Sequence, residues 1–153
     1  MVGKTKRGKG TKLMVLADGA GTALGIHLEK ATPSEVTLLE ATLKNGRIGG
    51  RRTNRRKPKR LIADRGYDSN KVRALLLKRD IEPIIPARSN NTVATHQDGR
   101  KLRRYKRRWI IERTNSWLQN FRRLVVRYER SAAIFTALVH LACALTTLKR
   151  VLG

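Results

Sequence analysis

The stretch Tyr105–Gln119, YKRRWIIERTNSWLQ, constrains the fold more than any other. It has no proline or glycine and apolar residues recur along it, so it predicts one helix. At about 100° per residue, Tyr105, Arg108, Glu112 and Gln119 fall within a sector of roughly 60°. Ile110, Thr114, Trp117, Phe121 and Leu124 form a separate apolar stripe. Such a helix buries one face and presents Glu112 among cations on the other. A carboxylate four residues after an arginine is commonly a surface ion pair contributing only about 0.2–0.5 kcal/mol. The helix alone therefore assigns Glu112 no role.

A second stretch, Leu61–Ser69, LIADRGYDS, changes that. Leu61–Ala63 reads as a short buried strand, with Asp64 at its C-terminal end and Gly66 two residues on. Asp68 or Ser69 can cap the next helix, from Asn70 to about Arg79, with Val72, Leu75 and Leu76 inward. Ile81–Ile85 reads as a second strand, which Pro83 places at an edge. Strand, helix and strand in this order predict a parallel pair.

Upstream, Leu13–Ala17 and Ala23–Glu29 flank DGAG and predict a hairpin. Asp18 reads as a turn residue that bonds its own backbone, and His27 as a half-buried strand residue. Thr32-Pro33-Ser34-Glu35 predicts a helix start capped by Thr32, with Val36, Leu39 and Leu43 inward to about Lys44. Near the end, Val125–Glu129 reads as a connector and Ser131 as the cap of a last helix. Its inward residues are predicted to be Ile134, Leu138, Leu141, Leu145 and Leu148, with His140 and Cys143 as core residues. The apolar run Ala132–Leu148 is short for a membrane span and contains Thr136, His140, Thr146 and Thr147. It reads as a core or partner-facing helix, and no membrane is expected.

Charge narrows the partner. Lys and Arg total 35 against 11 Asp and Glu, a formal net charge of +24. Self-repulsion of that size destabilises a compact chain, so few small-molecule enzymes carry it, whereas a polyanion partner offsets it. The 153 residues suffice for one domain with a core. Residues 1–12 and 44–60 read as flexible basic segments. Arg51, Arg52, Arg55 and Arg56 in the second, and Arg104 and Arg107 in the run Arg100–Arg108, are the expected nucleic-acid backbone contacts. Cys143 stands alone, which excludes an internal disulfide, and His27, His96 and His140 lack metal-ligand spacing. The basic N-terminus has no apolar run behind it, so no signal peptide is expected.

LIADRGYDS followed by YKRRWIIERTNSWLQNFRRLVVRYE resembles bacterial insertion-sequence transposases of the DDE type. The match is to the branch with a Tyr–x2–Arg–x3–Glu–x6–Lys signature, and it runs from Gly10 through Leu145. The resemblance implies that Asp64 is the second catalytic aspartate and Glu112 the catalytic glutamate. It implies that Tyr105 and Arg108 hold DNA near the cut. Gln119 stands where the signature has Lys, keeping hydrogen-bonding capacity but losing a phosphate-pairing charge. The family's first catalytic aspartate lies on a strand upstream of the hairpin, a position Asp18 does not match.

The implied fold is therefore a truncated RNase H-like α/β domain, a single partial catalytic domain over residues 1–153. It has a mixed sheet with flanking helices, and its first strand is missing. The implied chemistry is DNA strand cleavage and strand transfer with two Mg²⁺ or Mn²⁺ ions, Asp64 and Glu112 serving as metal ligands. Full activity is expected to need an upstream transposase segment. The other expected partners are transposon ends, target DNA and further copies of the chain, in the bacterial cytoplasm at the nucleoid. Two other classes also fit: a non-catalytic basic nucleic-acid-binding protein, and a regulatory remnant that dimerises through its last helix.

Overall fold

The structure, a computed structural model, describes residues 2–5, 8–46, 58–89 and 99–153. Arg51, Arg52, Arg55 and Arg56, like most of the basic segment expected over 44–60, lie outside the described residues. Two compact units divide the chain, Met1–Gly46 with Ile110–Gly153, and Arg47–Trp109.

In the first unit, β1 (Gly3–Thr5), β2 (Gly8–Ala17) and β3 (Ala23–Lys30) form an antiparallel sheet in the order β1-β2-β3. β1 thus replaces part of the flexible arm expected over 1–12. Its entry depends on a close approach: a Cβ on Gly3 would lie 2.8 Å from the Ala31 nitrogen. Nearby, Lys12 Nζ donates to the Pro33 carbonyl at 2.6 Å. The β2–β3 hairpin forms as predicted, with Leu13 opposite Leu28 and Val15 opposite Ile26 on one face. That face packs against α4 (Trp109–Gln119) and α6 (Ala132–Leu152), in a core of Ile26, Leu28, Leu118, Phe135, Val139, Ala142 and Cys143. Each large apolar side chain fully buried there contributes about 1.5–3 kcal/mol. On α1 (Glu35–Asn45), which packs on the sheet, Leu38, Leu39 and Thr42 are buried. Its N-cap residue is Ser34 rather than Thr32.

The hairpin turn is built from Asp18, as predicted. Asp18 Oδ1 accepts from the backbone N–H groups of Ala20 and Thr22, both at 2.9 Å. Gly21 has φ +92°, which suits glycine. Helices then hold the turn from outside. Thr114 Oγ1 lies 3.0 Å from the Gly21 carbonyl, Arg113 Nη2 donates to the Ala20 carbonyl at 3.1 Å, and Arg150 Nη1 to Thr22 Oγ1 at 3.0 Å. Partial burial pushes the Asp18 carboxyl up, but the Thr22 and Ala20 N–H groups outweigh it and hold it below the ordinary aspartate value. A carboxyl depressed in the folded state adds stability that is complete above its unfolded value and is lost as pH falls through the folded one. Asp18→Asn should therefore flatten the loss of stability between about pH 5 and about pH 2, read by urea denaturation at each pH. An acid limb as steep as in the wild type would show that Asp18 contributes nothing to it.

The last helix departs from expectation. Ser131 does cap it, Oγ accepting from the Ile134 N–H, and Cys143 is buried, which pushes its thiol up. Phe135, Val139, Ala142 and Cys143 face the sheet, while Ile134, Leu141, Leu145, Leu148 and His140 are exposed. α6 is apolar around most of its circumference, so periodicity offers two stripes, and the sheet takes the one that carries Phe135. By length and composition α6 could also cross a membrane, with a mean hydropathy of 1.6; its buried stripe belongs to the core cluster.

In the second unit, β4 (Arg60–Ile62) and β5 (Glu82–Ile84) pair in parallel, as predicted, and α2 (Asn70–Leu77) connects them. Ser69 caps α2, its Oγ accepting from the Val72 N–H at 3.2 Å. Leu61, Val72, Leu76, Ile81, Ile84 and Ile85 are buried. Arg60 lies opposite Glu82 and binds its Oε2 at 2.7 Å, and Lys101 on α3 (Gly99–Leu102) binds Oε1 at 3.0 Å. Lys101 and Arg60 together hold the Glu82 carboxyl below its ordinary value. Where one mixed sheet was expected, the described strands form two sheets, one antiparallel and one parallel.

The helix predicted over Tyr105–Gln119 is also divided. Arg103–Arg108 is 3₁₀, and α4 begins only at Trp109. Buried residues of α4 are Ile110, Thr114 and Leu118. Trp117 is half-buried beneath the Arg113 guanidinium, 4.7 Å from its ring centroid. Phe121 and Leu124 pack against the same core, as expected, but from beyond α4, because the chain turns at Asn120 before α5 (Arg122–Val125).

Candidate active site

The site is built on the carboxyl end of β4. The Ala63 N–H donates to the Ile84 carbonyl at 3.3 Å and carries the parallel pairing one residue beyond the strand. Asp64 follows, in extended backbone, and caps the 3₁₀ turn Arg65–Tyr67 by accepting from the Gly66 N–H at 2.7 Å through Oδ1. The carboxylate closes over Gly66: a Cβ there would lie 2.7 Å from Asp64 Oδ1, so a side chain at 66 would push the carboxylate aside. Crevices beyond the carboxyl ends of parallel strands are the usual ligand sites of open α/β sheets. Here a cleft of about 540 Å³ opens at that place, lined by Asp64, Arg65, Gly66, Pro86, Leu102, Tyr105 and Arg108.

Three of these residues are ones the sequence singles out: Asp64, Tyr105 and Arg108. The 3₁₀ conformation explains how the last two reach the cleft together. With three residues per turn, side chains at i and i+3 eclipse. Leu102, Tyr105 and Arg108 are three apart and all line the cleft, and the Arg108 guanidinium lies 5.8 Å from the centre of the Tyr105 ring. An α-helical wheel could not have grouped Leu102 with them. Arg104 and Arg107, on the same 3₁₀ segment, are exposed. Glu112 and Gln119 lie on α4 in the other unit, both exposed and seven residues apart, two turns of one helical face.

Asp68, an alternative to Ser69 as the cap of α2, instead anchors the loop that carries Asp64. Its side chain is 0% exposed. Oδ1 accepts from Arg73 Nε at 3.0 Å and Nη2 at 2.7 Å, and Oδ2 from the Arg88 backbone N–H at 2.7 Å. Arg73 Nη2 also donates to the Ile85 carbonyl at 2.9 Å. The loop after β4 is thus tied to the segment after β5 through a buried, charge-assisted network.

A family model for the transposase DDE domain matches residues 2–147. The chain belongs to this family. A transposase of insertion sequence element IS402 from Burkholderia cepacia is 38% identical to this transposase domain over 148 residues. The match covers 92% of the chain and 65% of that protein, so the chain spans just under two-thirds of the length of the curated relative. No solved structure matches the transposase domain.

The family implies DNA binding and generally uses divalent metal ions. Asp64 suits such an ion in kind, as a hard oxygen donor whose Oδ2 takes no hydrogen bond from the described residues. In number the set is incomplete: no group of three acidic, histidine or cysteine residues occurs together among the described residues. Asp18 spends its Oδ1 on two backbone N–H groups of the hairpin turn.

Proposed function

We propose that this transposase domain supplies two of three catalytic acids, Asp64 and Glu112, for cutting an insertion sequence from DNA and joining it to a target. The observation that supports this reading is the cleft. Asp64 at the end of a parallel strand shares it with Tyr105 and Arg108, two residues from a distant stretch of sequence. Asp64 and Glu112 would hold the metal with a carboxylate from a segment outside these 153 residues, in an RNase H-like arrangement. When bound, two Mg²⁺ or Mn²⁺ ions activate the attacking oxygen and stabilise the leaving one.

The chain's own residues grip the substrate. Tyr105 and Arg108 hold a phosphate beside the cut, through a hydroxyl and a planar cation that pairs with phosphate oxygens. Gln119 adds a neutral hydrogen bond. Arg104 and Arg107, together with Arg51, Arg52, Arg55 and Arg56, bind the DNA backbone without reading sequence. The active form is an oligomer at the bacterial nucleoid.

Strand cleavage on end-containing DNA tests the proposal. The isolated chain binds but does not cut, and addition of the upstream transposase segment restores metal-dependent cutting. Metal-dependent cutting by the isolated chain, lost in Asp64→Asn, would overturn the need for a further acid. Absence of cutting with the segment added would overturn the catalytic reading. Salt dependence tests the DNA-backbone residues separately. Arg104→Gln with Arg107→Gln should lower the slope of log affinity against log salt by about 0.9 for each phosphate no longer neutralised. Fluorescence anisotropy over roughly 50–200 mM salt measures it. An unchanged slope would assign both cations to solvent.

A further inference from the structure

We propose that Arg88 is a positioning residue that aims the Asp64 carboxylate, an inference that rests on Asp64 being a catalytic acid. Arg88 does so by clamping the turn on which that carboxylate closes. The peptide unit between Arg65 and Gly66 is held at both ends. Its N–H donates to Asp64 Oδ1 at 2.7 Å, and its carbonyl accepts from Arg88 Nε at 3.0 Å. The next carbonyl, that of Gly66, accepts from Arg88 Nη2 at 2.8 Å. The Asp68 N–H adds a bond to the Arg65 carbonyl at 3.2 Å.

The turn needs such a clamp. Asp64 closes over Gly66 where a side chain would push it aside, and glycine is the residue with the most backbone freedom. If the Arg65–Gly66 peptide turned over, its N–H would leave Oδ1 and the carboxylate would rotate. A guanidinium presents donors in one rigid plane, so two adjacent carbonyls held by it cannot turn independently. With Oδ1 fixed, the direction of Oδ2 is fixed as well.

The clamp has its own footing. The Arg88 backbone N–H is bound by Asp68, whose other oxygen is bound by Arg73. The chain of contacts runs from Arg73 through Asp68 and Arg88 to the Arg65–Gly66 peptide and ends on Asp64. Arg88 spends Nε and Nη2 on neutral carbonyls, which marks it as a holder of backbone rather than a phosphate ligand.

Two measurements test this, on Arg88→Met, Arg88→Lys and Asp64→Asn beside wild type. The first is amide exchange at Gly66 in the 153-residue chain. Arg88→Met should speed it about tenfold, and Arg88→Lys, with one point donor, should restore part of the protection. The second is cleavage by the completed transposase. Arg88→Met should lower kcat about 10–100-fold, the range for residues that orient a metal ligand. KM for DNA, the salt slope and Tm should stay close to wild type. A changed salt slope with unchanged Gly66 exchange would make Arg88 a phosphate contact and overturn the proposal. A lowered Tm with unchanged kcat would make it merely structural and overturn it too. Normal cleavage by Asp64→Asn would overturn the catalytic reading of the site, and the positioning role with it, whatever the exchange rate shows.

Discussion

Asp64→Asn and Glu112→Gln should each lower strand cleavage by the completed transposase by at least about a thousandfold, the scale expected when one member of a catalytic set is lost. Both substitutions keep the side-chain volume and remove the charge that binds a hard cation. Folding should survive. The amide oxygen introduced by Asp64→Asn can still accept from the Gly66 N–H, and Glu112 is exposed on α4. DNA affinity should hold or rise, because a negative charge is removed beside a polyanion. The double variant should be little worse than either single one, since acids that serve one reaction act as a unit. Single-turnover cleavage and anisotropy on the same DNA separate the two effects. A loss of cleavage that only tracks a loss of DNA affinity would assign both residues to binding.

Asp68→Ala should destabilise the chain by about 3–5 kcal/mol, the cost of removing one partner from a buried ion pair. It leaves the Arg73 guanidinium without its carboxylate, and the Arg88 N–H without its acceptor. Asp68→Asn, which retains one carbonyl oxygen, should cost less. Replacing the pair together, Asp68→Leu with Arg73→Leu, should cost less than Asp68→Ala, because no unpaired charge remains. Urea denaturation followed by far-UV circular dichroism compares these variants with wild type. A double variant as unstable as the sum of its parts would show that the pair is not coupled.

Local rules make much of this structure legible. Asp18 is readable as a turn residue because its hydrogen bonds reach only two and four residues along the chain. Ser69 and Ser131 are readable as caps for the same reason. The parallel β4–β5 pair follows from the strand–helix–strand order. What fails depends on partners distant in sequence or on a change of period. An α-helical wheel does not describe Arg103–Arg108, whose 3₁₀ winding brings Tyr105 and Arg108 to the cleft beside Leu102 at the end of α3. In α6, hydropathy alone does not choose between two apolar stripes, and the sheet that chooses lies about 100 residues earlier. Arg88 carries no motif and binds carbonyls 22 and 23 residues away, and Asp68, though inside LIADRGYDS, binds the Arg88 N–H 20 residues on, which composition cannot register.

Mn²⁺ binding to the completed transposase on its DNA end, followed by electron paramagnetic resonance, tests most directly whether both carboxylates are metal ligands. Asp64→Asn and Glu112→Gln should each weaken Mn²⁺ binding at least about tenfold with the DNA still bound, since even residues behind a ligand cost that much. Wild-type Mn²⁺ affinity in either variant would contradict the assignment of that residue to the metal.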